Sequence, residues 1–223
     1  MEVSSTLALS VSFKHTFIRI SILFTALLTL TAARPKDSSF ELSPDMVSFL
    51  REYLSVKYRG VSFDRFVYVA AKKQRMYLID GDAVVQSYSI STAKKGIGSK
   101  MGSYQTPAGL HRIADKVGDE LEACSILKSK QATGQKAEIL SEARSSGEDL
   151  ITSRILHLKG LEDKVNSGEG CDSYERGIFI HGTHEEGLLG VPASKGCVRM
   201  ANADIIDLFN RVEVGTFVVI LNN

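Results

Sequence analysis

Two short segments, residues 177–183 and 194–200, constrain this chain more than any other feature. The first is an apolar run that ends in His181, and the second carries Cys197. A thiol becomes a nucleophile near neutral pH when a neighbouring base accepts its proton. The pattern therefore predicts a fold that brings the two segments together, with Cys197 as nucleophile and His181 as base. The alternative is an inert buried cysteine beside a core histidine.

The residues next to Cys197 favour the reactive interpretation. Lys195 and Arg199 flank the cysteine and add positive charge, which favours the thiolate. Gly196 lets the backbone bend tightly, so that the amides of Gly196 and Cys197 can point at one oxygen atom, as an oxyanion hole for acyl transfer requires. An inert cysteine leaves this glycine and these two cations unexplained.

The order of these residues resembles the signature of the L,D-transpeptidase (YkuD-type) family of bacterial cell-wall enzymes. His181-Gly182-Thr183 is followed by Ser194-Lys195-Gly196-Cys197-Val198-Arg199, and residues 104–109 resemble the family's Thr-Pro-x-Gly segment. The resemblance covers roughly residues 65–221. The chain departs from the family at Lys195, where many members have histidine; a lysine keeps a hydrogen-bond donor and adds a fixed charge.

The resemblance implies acyl transfer on peptidoglycan stem peptides. In the family, the cysteine thiolate attacks the carbonyl of the third residue of a tetrapeptide stem, usually meso-diaminopimelate. D-alanine then leaves, and an amine captures the thioester. The acceptor amine belongs to a second stem, which gives a 3-3 cross-link, or to a wall-anchored protein.

The resemblance also assigns roles to individual residues. Cys197 and His181 are the expected catalytic pair, with the carbonyl of Gly182 orienting the imidazole and with Gly196 and Lys195 on the oxyanion side. Contacts with the substrate are expected from three further residues: Arg199, Ser194 and Thr183. Shaping of the loop is the alternative for Arg199 and Ser194.

Two other functions remain open at this point. A hydrolase in which water resolves the thioester, an L,D-carboxypeptidase, would use the same cysteine and histidine. A non-catalytic wall-binding protein could keep the fold, although intact Cys197, His181 and Gly196 argue against it. No cofactor is expected, and His111, His157 and His184 are expected to be structural or surface residues, because no set has metal-ligand spacing.

Short β-type runs bounded by turn residues predict a mainly-β fold with flanking helices, a mixed sandwich or open barrel. Asp80-Gly81 marks a hairpin, and residues 217–221 form a final strand after a capped helix that starts at Asn202. An insertion at approximately 115–170 is expected to cap the active-site cleft. Within it, residues 137–143 favour a helix, and residues 149–158 return to the sheet.

The N-terminus predicts export. A basic region, a short apolar run and Thr31-Ala32-Ala33 describe a signal peptide over residues 1–33, with an uncleaved membrane anchor as the alternative. A helical segment follows at 34–62, capped by Ser43, and the catalytic domain is expected over 63–223. The folded part is therefore expected in the periplasm or facing the cell wall.

Charge and cysteine content add two further expectations. The 27 Lys and Arg residues against 26 Asp and Glu residues give a net charge of +1, so the composition offers no case for nucleic-acid binding. Three cysteines in an exported protein leave at least one thiol unpaired within the chain. If Cys197 is the nucleophile, Cys124 and Cys171 can form a disulfide or serve as structural thiols.

Overall fold

The computed structural model describes residues 42–223. The predicted export segment and the first part of the helical segment lie outside these residues. The described α-helices are α1 (Pro44–Lys57) and α2 (Asn202–Arg211). The strands are β1 (Arg65–Ala70), β2 (Arg75–Asp80), β3 (Ala83–Ser91), β4 (Gly109–Val117), β5 (Ser125–Lys128), β6 (Gln131–Lys136), β7 (Ile151–Gly160), β8 (Phe179–Gly182), β9 (Val198–Met200) and β10 (Phe217–Leu221).

The strands form one sheet that closes on itself. Eight of them follow the order β4-β10-β1-β2-β3-β9-β8-β7, and a β4–β7 pairing closes the ring; the β5–β6 hairpin extends outward from β7. Most neighbours are antiparallel, whereas β1–β10 and β8–β9 are parallel. The predicted fold class, mainly β with flanking helices, is confirmed, and so is the hairpin at Asp80-Gly81.

The core lies inside this ring. Alternate residues of each strand point inward, and those of β7 and β8 include Leu156, Leu158 and Ile180, which are fully buried. Strand β7 is buried along almost its whole length because it pairs with both β4 and β8. Its start at Ile151 confirms the predicted return of the chain to the sheet.

Helix α1 packs on the sheet as its sequence predicts. The Ser43 hydroxyl accepts a hydrogen bond from the Met46 amide at 3.3 Å, and Pro44 opens the first turn. One face buries Val47, Leu50 and Leu54. Neither helix between residues 42 and 223 is long and apolar enough to cross a membrane.

Helix α2 begins at Asn202, as predicted. Its N-cap position is Ala201, whose side chain makes no capping bond. The Glu186 carboxylate caps the helix instead, accepting bonds from the backbone and side-chain amides of Asn202, each at 2.9 Å. The Asn202 side chain is thereby freed to join α2 to β7 and to Thr183.

The prediction of a helix at residues 137–143 is wrong. This segment has no regular secondary structure and begins a longer stretch, residues 137–150, which we call the strap. The strap is bonded to the chain around His184: the Leu140 amide donates to the His184 carbonyl at 2.8 Å, and the Gly187 amide donates to the Leu140 carbonyl at 2.9 Å. These external partners replace the bonds that a helix would make within itself.

The three cysteines are free thiols in the structure, so the suggested disulfide is not formed. The Cys124 amide is bonded to the Ser153 hydroxyl near the start of β7. Cys171 lies in the loop beyond the other end of that strand, with its thiol directed at the Ser167 carbonyl. Opposite ends of a ten-residue strand are far beyond disulfide range.

Candidate active site

Strands β8 and β9 bring the two sequence segments together. They run parallel, with Ile180 opposite Val198 and His181 opposite Arg199. Ile180 and Val198 point into the core, so His181 and the residues flanking Val198 point to the other face. Cys197 and His181 are therefore diagonal neighbours on adjacent strands, the arrangement that the spacing predicts.

Backbone groups of residues 177–179 hold the Cys197 thiol. The Phe179 amide donates to Sγ at 3.4 Å, and the thiol is directed at the Gly177 carbonyl, also at 3.4 Å. The preceding residue, Gly196, has φ = 134°, a conformation that side chains disfavour. The thiol thus reaches the outer face of the sheet at the end of a sharply bent loop.

His181 is oriented by its own strand. Its side chain is buried, and Nδ1 lies 2.7 Å from the Gly182 carbonyl oxygen. A carbonyl can only accept, so Nδ1 carries the proton and Nε2 is left as the basic nitrogen. Gly182 has no room for a side chain, because a Cβ there would lie 2.7 Å from the Thr152 carbonyl oxygen of β7.

Burial keeps both members of the pair neutral. Burial raises the pKa of the Cys197 thiol to about 12, although the Phe179 amide and two arginines oppose the shift. Burial also lowers the pKa of His181 below its usual value. At neutral pH both shifts favour a thiol and a neutral imidazole, and they oppose the thiolate that the surrounding cations were expected to favour.

Arg199 does not fit the expected role in binding a substrate carboxylate. Its guanidinium is buried between two carboxylates, with Nη2 2.6 Å from Asp149 Oδ1 and Nη1 2.8 Å from Glu185 Oε2. These bonds join β9 to the strap and to the loop after β8. Shaping of the site, the alternative assigned from sequence, is the role that this geometry favours.

Ser194 and Thr183 are also occupied within the protein. The Ser194 hydroxyl donates to the Cys197 carbonyl at 2.6 Å and accepts from the Gly196 amide at 3.2 Å, so it stabilises the cysteine loop. Thr183 is fully buried, and its hydroxyl accepts from the Glu185 amide at 3.2 Å. Neither side chain is placed to contact a substrate.

The two residues expected on the oxyanion side differ from expectation in detail. The Gly196 N–H is directed at the Ser194 hydroxyl and not at the space in front of Cys197. The Lys195 side chain is exposed, while its backbone amide donates to Asp149 Oδ2 at 3.3 Å. The backbone of Lys195 therefore fixes the strap, which a histidine at this position could do equally well.

The upstream Thr-Pro segment supports the cysteine loop from behind. Thr106 is fully buried; its hydroxyl donates to the Gly196 carbonyl and accepts from the Ala93 amide, both at 2.9 Å. Residues 92–94 bond in turn to Ala193 and Ser194. The similarity of residues 104–109 to the family segment thus has a structural basis, since this segment sets the position of Gly196.

Three charged residues of the site were missed at the sequence level: Asp149, Glu185 and Arg176. Asp149 and Glu185 pair with Arg199 from segments distant in sequence. Arg176 precedes the apolar run and bonds to carbonyls of the loop at residues 94–105, here called the lysine-glycine loop. No local pattern signals these contacts, although Arg176 stands beside the segment already singled out.

Three further histidines, His111, His157 and His184, are buried structural residues, as expected. His111 is buried between the Gly109 carbonyl and the Ser173 hydroxyl, and burial lowers its pKa to about 4. His157 is buried, stacks on Tyr174 and lies 3.2 Å from Asp115. Within residues 42–223, no group of three or more His, Cys, Asp or Glu side chains is arranged to hold a metal ion.

Comparison with known proteins identifies the family of the domain. The family model described as the L,D-transpeptidase catalytic domain, YkuD, matches residues 64–220. YqjB of Bacillus subtilis, whose name assigns it to the L,D-transpeptidases, is 43% identical over 44 residues, which are 20% of this chain and 25% of that protein. The chain therefore spans about a quarter of the curated relative that it matches.

Solved L,D-transpeptidases are more distant. That of Xylanimonas cellulosilytica DSM 15894 is 18% identical with a TM-score of 0.46, covering 80% of this chain and 70% of the other. That of Mycobacterium smegmatis is 12% identical with a TM-score of 0.45, covering 71% and 58%. These scores add nothing to the assignment, which depends on the family model. Because the family model matches well over half of this chain's residues, the chain belongs to the YkuD family of L,D-transpeptidase catalytic domains.

Proposed function

We propose that Cys197 and His181 carry out acyl transfer on peptidoglycan tetrapeptide stems. The observation that carries the proposal is the His181–Gly182 hydrogen bond, 2.7 Å long, beside a thiol on the adjacent strand. It fixes the imidazole in the tautomer that accepts a proton at Nε2. The Gly182 carbonyl thus does what the carboxylate does in a triad.

The reaction proceeds in two halves. As Sγ of Cys197 bonds to the carbonyl carbon of the third stem residue, the thiol proton passes to Nε2 of His181. The tetrahedral intermediate then loses D-alanine: its C–N bond breaks, and the imidazolium returns the proton to the leaving amine. In the second half an acceptor amine attacks the thioester carbonyl carbon and gives its proton to Nε2 of His181. The C–S bond then breaks, and the imidazolium returns this proton to Sγ, which regenerates the thiol.

The neutral resting pair suits this sequence. The raised pKa of Cys197 makes a free thiolate scarce, so proton transfer accompanies attack. The backbone amide of Cys197 is the oxyanion donor that we assign. The Gly196 amide contributes only if it leaves the Ser194 hydroxyl, from which it is 3.2 Å away.

Turnover of a disaccharide-tetrapeptide tests the catalytic pair. Cys197→Ser is expected to abolish release of D-alanine with the thermal midpoint nearly unchanged, and His181→Ala to slow it by roughly 10²–10⁴-fold. Lys195→His, which restores the commoner family residue, is expected to stay within about tenfold, because the Lys195 side chain is exposed. If Cys197→Ser released D-alanine at the wild-type rate, Cys197 would not be the nucleophile.

The same assay separates the alternative functions. If tripeptide were the sole product even with a second stem in excess, the protein would be a hydrolase and not a transpeptidase. A carbapenem probe read by mass spectrometry should add covalently to Cys197. Absence of both turnover and adduct would point to a non-catalytic wall-binding protein. An amine of a wall-anchored protein in place of the second stem tests the other acceptor.

We also propose that the protein acts outside the cytoplasm, in the periplasm or facing the wall, where its substrate lies. The support is the basic and apolar pattern of residues 14–33 in the sequence. N-terminal sequencing of protein from an export-competent host should give a start near Arg34. Full-length protein recovered from the cytosol would refute this localisation, and full-length protein in membranes would indicate an anchor.

A further inference from the structure

The cations near Cys197 differ in how far their charge is neutralised. Arg199 is paired with the two carboxylates of Asp149 and Glu185. Lys195 extends into solvent. Arg176 is half-buried, and its described partners are neutral: Nη2 lies 2.6 Å from the Gln105 carbonyl, and longer contacts reach the Gly98 carbonyl and the Ser103 hydroxyl.

Two connections place Arg176 near the Cys197 thiol, one along the chain and one across space. Along the chain it is followed by Gly177, whose carbonyl faces Cys197 Sγ at 3.4 Å. Across space its guanidinium is bonded to the Gln105 carbonyl, and that oxygen is 3.5 Å from where a Cβ on Gly196 would stand. The cation therefore lies between the cysteine loop and the lysine-glycine loop.

The guanidinium retains binding capacity and charge. Its contacts use three of five N–H donors, and two of those contacts are long, at 3.3 and 3.5 Å. Between residues 42 and 223, no carboxylate forms an ion pair with the Arg176 guanidinium, whereas Arg199 forms two. A half-buried guanidinium without a counter-ion favours a carboxylate, which it can bind through two parallel hydrogen bonds.

The proposed substrate carries such a group at the required place. In a tetrapeptide stem the carboxylate of the leaving D-alanine is three covalent bonds from the attacked carbonyl carbon, about 3–4 Å away. When Sγ bonds to that carbon, this carboxylate lies within a few ångströms of the thiol. Negative charge there needs a nearby cation that the protein has not already neutralised.

We propose that Arg176 binds the C-terminal carboxylate of the leaving residue and so makes this enzyme specific for stems with a free terminal acid. The proposal depends on the proposed function, because it assigns the substrate group recognised at that same site. It transfers to Arg176 the role that sequence analysis offered for Arg199. Arg176 is then a specificity-determining residue that contributes to binding and not to proton transfer.

The test compares one tetrapeptide in two forms, the free acid and the C-terminal amide. For wild-type protein, kcat/KM is expected to favour the acid by about 10- to 100-fold, the usual range for a charge-assisted hydrogen bond. Arg176→Gln should reduce this preference to within about threefold. The main cause should be a lower kcat/KM for the acid, with little change in kcat/KM for the amide. Arg176→Lys should restore part of it. Arg112→Gln, an exposed arginine on β4, should keep the full preference.

The ratio of the two substrates is measured within one protein, so a partly folded variant does not distort it. Equal wild-type rates for acid and amide would overturn the proposal, as would an unchanged preference in Arg176→Gln. An equal fall in kcat/KM for both substrates in Arg176→Gln would also overturn it, because Arg176 would then act on the thiol or on the loops. If wild-type protein turned over neither peptide and formed no carbapenem adduct at Cys197, the proposed function itself would fail.

Discussion

At the scale of single residues, the site is defined by how Cys197 and His181 are buried. Both side chains lie on the face away from the core, yet His181 is buried and Cys197 is partly buried. Burial disfavours charge on either group, which raises the pKa of the thiol and lowers that of the imidazole. In the proposed mechanism, the thiol proton is therefore transferred during attack, and a standing thiolate is not required.

This state predicts the pH dependence of alkylation at Cys197. With a pKa of about 12, the thiolate fraction is small at pH 7 and grows through the whole accessible alkaline range. Iodoacetamide alkylation should therefore rise steadily from pH 6 to pH 10 without a plateau. Measurement in a Cys124→Ser/Cys171→Ser background isolates Cys197. A plateau reached below pH 8 would show that a stable thiolate–imidazolium pair exists instead.

At the scale of elements, the strap is the segment that completes the site. The Glu185 carboxylate accepts from the Ser145 hydroxyl at 2.9 Å, from the Ser146 amide at 2.5 Å and from Arg199 at 2.8 Å. At the other end of the strap, Asp149 bonds to Arg199 as well. The strap is thus attached by charge-assisted hydrogen bonds and not by a hydrophobic face.

Glu185→Gln should loosen the strap without unfolding the ring. Burial alone would raise the pKa of Glu185, but bonds from Ser146, Ser145 and Arg199 outweigh it and hold the value at about 2. Because the folded pKa is depressed, this contribution is complete above the ordinary carboxyl pKa and is lost as pH falls toward about 2. Hydrogen exchange in residues 140–149 should accelerate in the variant at neutral pH.

The matched control for the strap is Glu148→Gln, which alters an exposed carboxylate in the same segment. It should leave exchange unchanged, and exchange in β1 and β2 should stay slow in both variants. If Glu148→Gln and Glu185→Gln accelerated exchange equally, net charge and not the Glu185 hydrogen bonds would hold the strap.

At the scale of the whole molecule, stability depends on the closure of the ring at β7. This strand pairs with β4 on one side and β8 on the other, and β8 carries His181. Leu156 stands in the middle of β7, fully buried in the core. The fold and the position of the proposed catalytic base therefore depend on the same strand.

Leu156→Ala should lower the free energy of unfolding by about 2–5 kcal/mol, since it removes buried methyl groups and leaves a cavity. Urea denaturation followed by circular dichroism gives the value. Val85→Ala, at a position 41% exposed on β3, should change it by about 0.5 kcal/mol or less. Comparable losses in the two variants would contradict the assignment of Leu156 to the central core.

Local patterns sufficed for the parts of the structure that neighbours in sequence decide. The spacing of apolar residues predicted α1 and the return of the chain at β7, and the turn residues Asp80-Gly81 predicted the hairpin. The glycine and cysteine pattern predicted a nucleophile on a bent loop with His181 nearby. These features follow from backbone conformation and side-chain periodicity, which a few adjacent residues determine.

Only the tertiary structure decided which charges and hydroxyls are free. The residue types of Arg199 and Thr183 do not reveal that both side chains are buried. Their partners come from the strap, the loop after β8 and helix α2. Residues 137–143 have helical composition, but bonds to His184 and Gly187 favour an extended path. The sequence by itself determined the proposed reacting pair, Cys197 and His181, and the strands that carry it. The assembled chain decided the protonation that this pair favours and left Arg176 without a carboxylate partner among residues 42–223, because burial and distant partners set both.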